Sequence, residues 1–119
     1  MLWEVDVHLL DPAADHAARA LVAGAAELGI GGCTKGRTAA GWLIEGDLSK
    51  ADAERLAGTL LADPVTESFT IAAVGDHALI AGPADLPTVL HVLPRAGVTD
   101  PAAQSAQEAM ALLGLRPDR

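Results

Sequence analysis

Between Gly41 and Ile71 the hydrophobic period changes twice, from two residues to about 3.6 and back to two, and a breaker marks each change. Trp42 and Ile44 alternate with Leu43 and Glu45, as in a strand with one buried face. Gly46 and Asp47 end that strand, and Ser49 stands where an N-cap belongs, with Asp52 three residues on in the capping-box position. Ala53, Leu56 and Leu60 then recur at helical spacing with Leu61 at their flank, while Lys50, Asp52, Glu54 and Arg55 face mostly elsewhere. Asp63-Pro64 stops the helix, because proline disfavours helical geometry at the residue before it. Phe69, Ile71 and Ala73 alternate with Thr70 and Ala72 in a second strand. The stretch predicts a helix laid across one face of a sheet.

The preceding residues extend that pattern. Trp3, Val5, Val7 and Leu9 alternate with Glu4, Asp6 and His8, a strand over residues 2–9. Asp11 and Pro12 form a helix start, the acid as N-cap and the proline at the first helical position. The helix they open is expected over residues 13–28, with a stripe of Ala14, Ala18, Leu21, Ala25 and Leu28 and a C-cap at Gly29. Residues 30–37 and 40–45 read as a hairpin around Gly36-Arg37-Thr38-Ala39. Through Val74 the order is β-α-β-β-α-β, which belongs to the split βαβ or ferredoxin-like class, an α+β two-layer module.

From residue 75 the pattern fails. Gly75, Gly82, Pro83 and Pro87 punctuate a linker over residues 75–87, in which 78–81 is at most a minor strand. A strand at 88–93 follows, and then Asp100-Pro101-Ala102-Ala103 opens a helix that ends at Leu113-Gly114. The same order, from Asp11-Pro12-Ala13-Ala14 to Leu28-Gly29, begins the chain, so residues 88–119 read as an incomplete second copy of the 1–74 module. A lone strand and helix bury too little to order themselves, so they must borrow the first module's sheet, the equivalent segment of another copy or a C-terminal continuation, and pairing with another copy is the expected choice.

Composition narrows the function classes. Among 119 residues, 25 are alanine and only Trp3, Trp42 and Phe69 are aromatic, so the core must be thin. Sixteen acidic residues against eight basic give a net charge of −8, which disfavours nucleic acid and anionic lipid as partners. The single cysteine excludes an internal disulfide and fits a reducing compartment, and no leader or membrane-spanning run is seen; the expected location is the cytoplasm.

Chemistry-bearing residues are sparse. His8, His16, His77 and His91 lack the spacing of a helical metal pair and read as solvated or structural. Cys33, beside Thr34 and Lys35, is either a reactive thiol or a half-buried strand residue. Asp47 and Asp52 offer carboxylates to a cation, or simply cap a helix. Gly29, Gly31 and Gly32 lack the lysine and spacing of a phosphate loop. Lys35, Gly36 and Arg37 are the one cationic cluster, placed at a hairpin tip where loops present partner contacts. No catalytic residue and no metal site are expected.

Glu4-Val5-Asp6-Val7 with the Asp-Pro helix start, then Leu60-Leu61-Ala62-Asp63-Pro64-Val65 and Glu67-Ser68-Phe69, resemble the PurS family, the small subunit of phosphoribosylformylglycinamidine synthase. Gly97-Val98-Thr99-Asp100-Pro101 resembles that family's helix start more closely, and Trp42–Ser49 with Leu61–Glu67 resembles the PurS-like N-terminal region fused to some synthetase chains. The hairpin departs from the family, with Gly36-Arg37 where it carries Gly-Lys. The resemblance implies a non-catalytic subunit in de novo purine biosynthesis that bridges a glutaminase and a synthetase so that ammonia passes between them. It implies no cofactor of its own, with ATP and Mg confined to the synthetase, and it implies a homo-oligomer whose partner-contact candidates are Lys35, Gly36, Arg37 and Trp42. The alternative function is a ferredoxin-like regulatory module that binds a small-molecule effector at a subunit interface.

Overall fold

A computed structural model of the chain describes residues 1–80, 82, 85, 86 and 88–119; Ala81, Pro83, Ala84 and Pro87 of the expected linker lie outside the described residues. The centre is a three-stranded antiparallel sheet in the order β2-β1-β3, with β1 at Leu2–Leu9, β2 at Ala40–Glu45 and β3 at Glu67–Ala73. The register sets Trp3, Val5 and Val7 beside Ile44, Trp42 and Ala40 on one flank and beside Ala73, Ile71 and Phe69 on the other. Alternation puts all nine on one face. The helix α2 (Lys50–Leu56) and the π turn that continues it (Ala57–Leu61) supply Ala53, Leu56 and Ala57 to the same buried cluster. The fold is therefore α+β.

Where the sequence carried strong local chemistry, the elements stand as read. Ser49 and Asp52 form a reciprocal capping box at the start of α2. Trp3 is fixed by its indole N–H, which donates to the Leu48 carbonyl at 3.0 Å beneath the first turn of that helix. Gly29 adopts φ +76°, the left-handed cap expected there, and Gly114, at the expected end of the second helix, adopts φ +78°.

Four expectations are corrected. Residues 30–37 form no strand, so the hairpin is not made and, among the described residues, the sheet has three strands. Gly31, Gly32 and Gly36 make extended structure entropically costly there, and hydrogen bonds hold Thr38 against Asp15 instead. The first helix, α1, begins at His16 and runs to Glu27. Asp11 and Pro12 open only a short 3₁₀ turn at Pro12–Ala14, and Asp15 is the N-cap of α1. Its stripe is only half used: Ala18 and Ala25 are buried, whereas Leu21 and Leu28 are exposed. Residues 78–80 of the expected minor strand at 78–81 lie in a short helix α3 (His77–Ile80), Ala81 lies outside the described residues, and the strand expected at 88–93 is not formed.

The fourth correction concerns the half-copy. The helix α4 (Pro101–Leu112) does not wait for another chain. Met110 is 3% exposed and belongs to the core cluster with Leu56 and Ala57, and Ala106, Leu113 and Leu115 pack against that cluster. Beyond α4 the chain turns onto the outer edge of β2. Glu45 donates its amide to the Arg119 carbonyl at 2.7 Å, and its own carbonyl accepts the amides of Asp118 and Arg119 at 2.7 and 3.3 Å, two residues opposite one as in a β-bulge. The radius of gyration is 15.7 Å, above the ~13.5 Å of a compact domain of this length, in keeping with the thin cover over α1.

Candidate functional site

Three places gather the residues singled out above, and they are distinct. The first is a groove of about 250 Å³ between the outer edge of β2 and α4. Trp42 and Ile44 form its sheet wall, Ala103, Ala106 and Met110 its helix wall. Polar groups rim it. The Asp100 carboxylate accepts the Ala103 amide at 3.1 Å as the N-cap of α4. Gln107 donates to the Pro117 and Asp118 carbonyls at 3.4 and 3.3 Å, holding the tail against the rim, and the Arg119 guanidinium pairs with the Glu45 carboxylate. The groove thus joins Trp42 to Asp100 of the second helix start, while Pro101 does not line it. Its walls suit an apolar or aromatic group and its rim a polar one.

The cationic loop lies elsewhere. Lys35 donates to Asp85 at 2.6 Å in an exposed ion pair, and that bond, ahead of the charge of Lys35 and Arg37, holds the Asp85 carboxyl below its ordinary range. Gly36 lies over Leu21 of α1, where an added Cβ would meet the leucine side chain at 3.8 Å. Asp15 is buried, and burial pulls its carboxyl upward. Hydrogen bonds from the hydroxyl and amide of Thr38 and the amide of Ala18 outweigh burial, so it stays below its ordinary range. The loop is therefore tied to α1 and to Asp85 rather than projecting from a hairpin tip. Asp11 and Pro12, at the far end of β1, join neither place.

The third place is the sheet face opposite the helices, and the sequence reading treated its residues singly. Strand alternation brings Glu4, Asp6 and His8 of β1 together with Ser68 and Thr70 of β3. Ser68 and His8 are at hydrogen-bond distance, 2.7 Å between Oγ and Nε2. Glu4 is buried and lies 3.6 Å from His91, which belongs to the irregular segment between α3 and α4. Burial, then the neighbouring Asp6 carboxyl, raises the Glu4 carboxyl, and His91 partly opposes the rise. A hydroxyl bonded to an imidazole is the first half of an acyl-transfer relay, which also needs a group orienting the imidazole and donors for an oxyanion. Here the pair joins β1 to β3 as a cross-strand contact. The signal was present in the sequence as Asp6, His8 and Ser68, and only the register connects them.

Among the described residues, no three histidine, cysteine, aspartate or glutamate side chains are placed to hold a metal, and no helix is long and apolar enough to cross a membrane. No family model, no curated protein and no solved structure matches the chain. Fold and site together define a small α+β domain with a grooved edge and a polar open face.

Proposed function

We propose that the chain is a non-catalytic bridging component of a phosphoribosylformylglycinamidine synthase, working in the cytoplasm in de novo purine biosynthesis. It links a glutaminase to a synthetase that carries the ATP and Mg, so that ammonia reaches the activated amide without escaping. The observation that supports this reading is the strand order β2-β1-β3, with α1 connecting β1 to β2 and α2 crossing from β2 to β3, the two edge strands. A ferredoxin-like βαββαβ sheet of the PurS kind keeps this order when its second strand is left unformed. A bridging role asks for exposed edges and apolar contact area rather than a nucleophile. Leu21, Leu28, Leu90 and Val92 are among the large apolar side chains left exposed, and they provide such area. Reconstitution tests the reading. Added to matching synthetase and glutaminase chains, the protein raises glutamine-dependent turnover while changing ammonia-dependent turnover much less. Equal effects on both, or none, remove the proposal.

The groove beside Trp42 favours a second reading, a regulatory module that takes a small aromatic or apolar effector between β2 and α4. A rise in melting temperature with such a metabolite, lost on Trp42→Ala, selects this reading over the first.

A further inference from the structure

The outer edge of β3 carries a set of backbone groups that is complementary to itself. At the ends of the strand, Thr66 accepts the Leu10 amide at 2.9 Å and Val74 donates to Leu2 at 3.0 Å. The antiparallel ladder therefore turns Ser68, Thr70 and Ala72 toward β1, and turns Glu67, Phe69, Ile71 and Ala73 outward. Two of the outward groups are already satisfied: the Glu67 amide donates to the Asp63 carbonyl at 2.9 Å, and the Ala73 carbonyl accepts the Asp76 amide at 3.0 Å. Among the described residues this leaves the Glu67 carbonyl, both groups of Phe69, both groups of Ile71 and the Ala73 amide without a backbone partner.

We propose that the chain self-associates through this edge, a second copy lying antiparallel about a two-fold axis at Thr70 so that one sheet runs through both. In that register Phe69 of each copy exchanges hydrogen bonds with Ile71 of the other, and each Ala73 amide meets a Glu67 carbonyl. The groups left facing each other are the Glu67 amide and the Ala73 carbonyl, the two that already have partners. Moving the axis by one residue either way sets a satisfied group against an unsatisfied one.

Side chains and charge select the same contact. On the open face Thr70 meets Thr70, and on the helix-covered face Phe69 meets Ile71, both favourable cross-strand pairs. Two chains of net charge −8 repel, and residues 68–75 carry no charged side chain, so the copies meet where that repulsion is least. The other edge, β2, is engaged at Glu45 by Asp118 and Arg119. The synthase reading asks only for some homo-oligomer, whereas the edge and the register proposed here rest on the β3 backbone groups, so either can fail alone.

The test uses the full chain, with Cys33→Ser as background for crosslinking. Thr70→Cys places two thiols opposite each other in a non-hydrogen-bonded pair, Cα atoms about 4.5 Å apart and within disulfide reach. Mild oxidation is expected to give covalent dimers, whereas Leu43→Cys, on the edge of β2, stays monomeric on a denaturing gel. Thr70 is exposed and lies opposite Asp6 within its own chain, so Thr70→Lys leaves the fold intact while opposing two like charges across the axis. Light scattering is expected to show dimerisation weakened about fivefold, and an equimolar mixture with Thr70→Asp recovers it. A native chain that remains monomeric at its highest soluble concentration overturns the proposal. So does a dimer that Thr70→Lys leaves unchanged and that crosslinks through Leu43→Cys instead.

Discussion

The Asp15 carboxylate is bonded twice to Thr38, accepting its amide at 2.8 Å and its hydroxyl at 2.6 Å, across 23 positions of sequence. The oxygen that takes the hydroxyl also accepts the Ala18 amide at 3.0 Å, so one side chain caps α1 and anchors the glycine-rich loop leading to β2. Asp15→Ala is expected to cost about 2–3 kcal/mol, a lost cap plus lost bonds to a buried carboxylate. The sign with pH is fixed by direction. The folded carboxyl lies below its unfolded value, so its contribution is full above the unfolded range near ~4 and is lost as pH falls through the folded value. Denaturant titrations of native and Asp15→Ala proteins should therefore converge on acidification and stay apart at neutral pH.

Glu4 has the opposite sign. Its folded carboxyl is raised, first by burial and then by Asp6, so its contribution is present below the unfolded range and is lost as pH rises through the folded value. Glu4→Gln is expected to be at least as stable as the native chain at neutral pH and to lose that advantage near pH 4. Chemical denaturation at the two pH values checks this, and a variant less stable at neutral pH shows that the His91 contact outweighs burial.

Met110 measures how firmly α4 is held by its own chain. Met110→Ala empties a side chain that is 3% exposed within the core cluster and should cost about 2–4 kcal/mol. Hydrogen exchange across residues 101–112 should speed up at least as much as exchange in β1. If α4 exchanged freely in the native chain, its docking on this core would be refuted.

Trp3→Phe keeps most of the apolar volume but removes the donor to Leu48, leaving a buried carbonyl without its partner. A loss of about 1–3 kcal/mol is expected, read as a lower denaturation midpoint at unchanged slope.

Legibility followed how local the signal was. The capping box at Ser49 and Asp52, the positive-φ cap at Gly29 and the helix end at Leu113-Gly114 are fixed by residues within one turn, and all were readable. Asp11 and Asp100 look alike in sequence, yet Asp100 caps a full helix while Asp11 opens a single 3₁₀ turn. The difference is Asp15, whose bonds to Thr38 restart the helix at His16, and a partner 23 positions away leaves no local trace. The expected strand at 30–37 failed for a related reason, since its place beside Glu45 is taken by residues 118 and 119. At the candidate sites, Trp42 was visible as a rare aromatic, but its pairing with α4 was not, and the Ser68–His8 contact required the β1–β3 register.

The helix after Ser49 changes gait before it stops. At its end the Ala62 amide reaches back five residues to the Ala57 carbonyl at 2.9 Å, where a regular helix reaches back four. The wider turn sets Leu56 and Ala57 side by side in the core and rolls Leu60 outward. Such a turn accommodates one residue more than an α-helix of the same length, so this segment tolerates a change in chain length as well as in composition. A descendant that had lost one residue between Gly58 and Leu61 would keep the Ser49 cap and Pro64, straighten the helix and swing Leu60 inward.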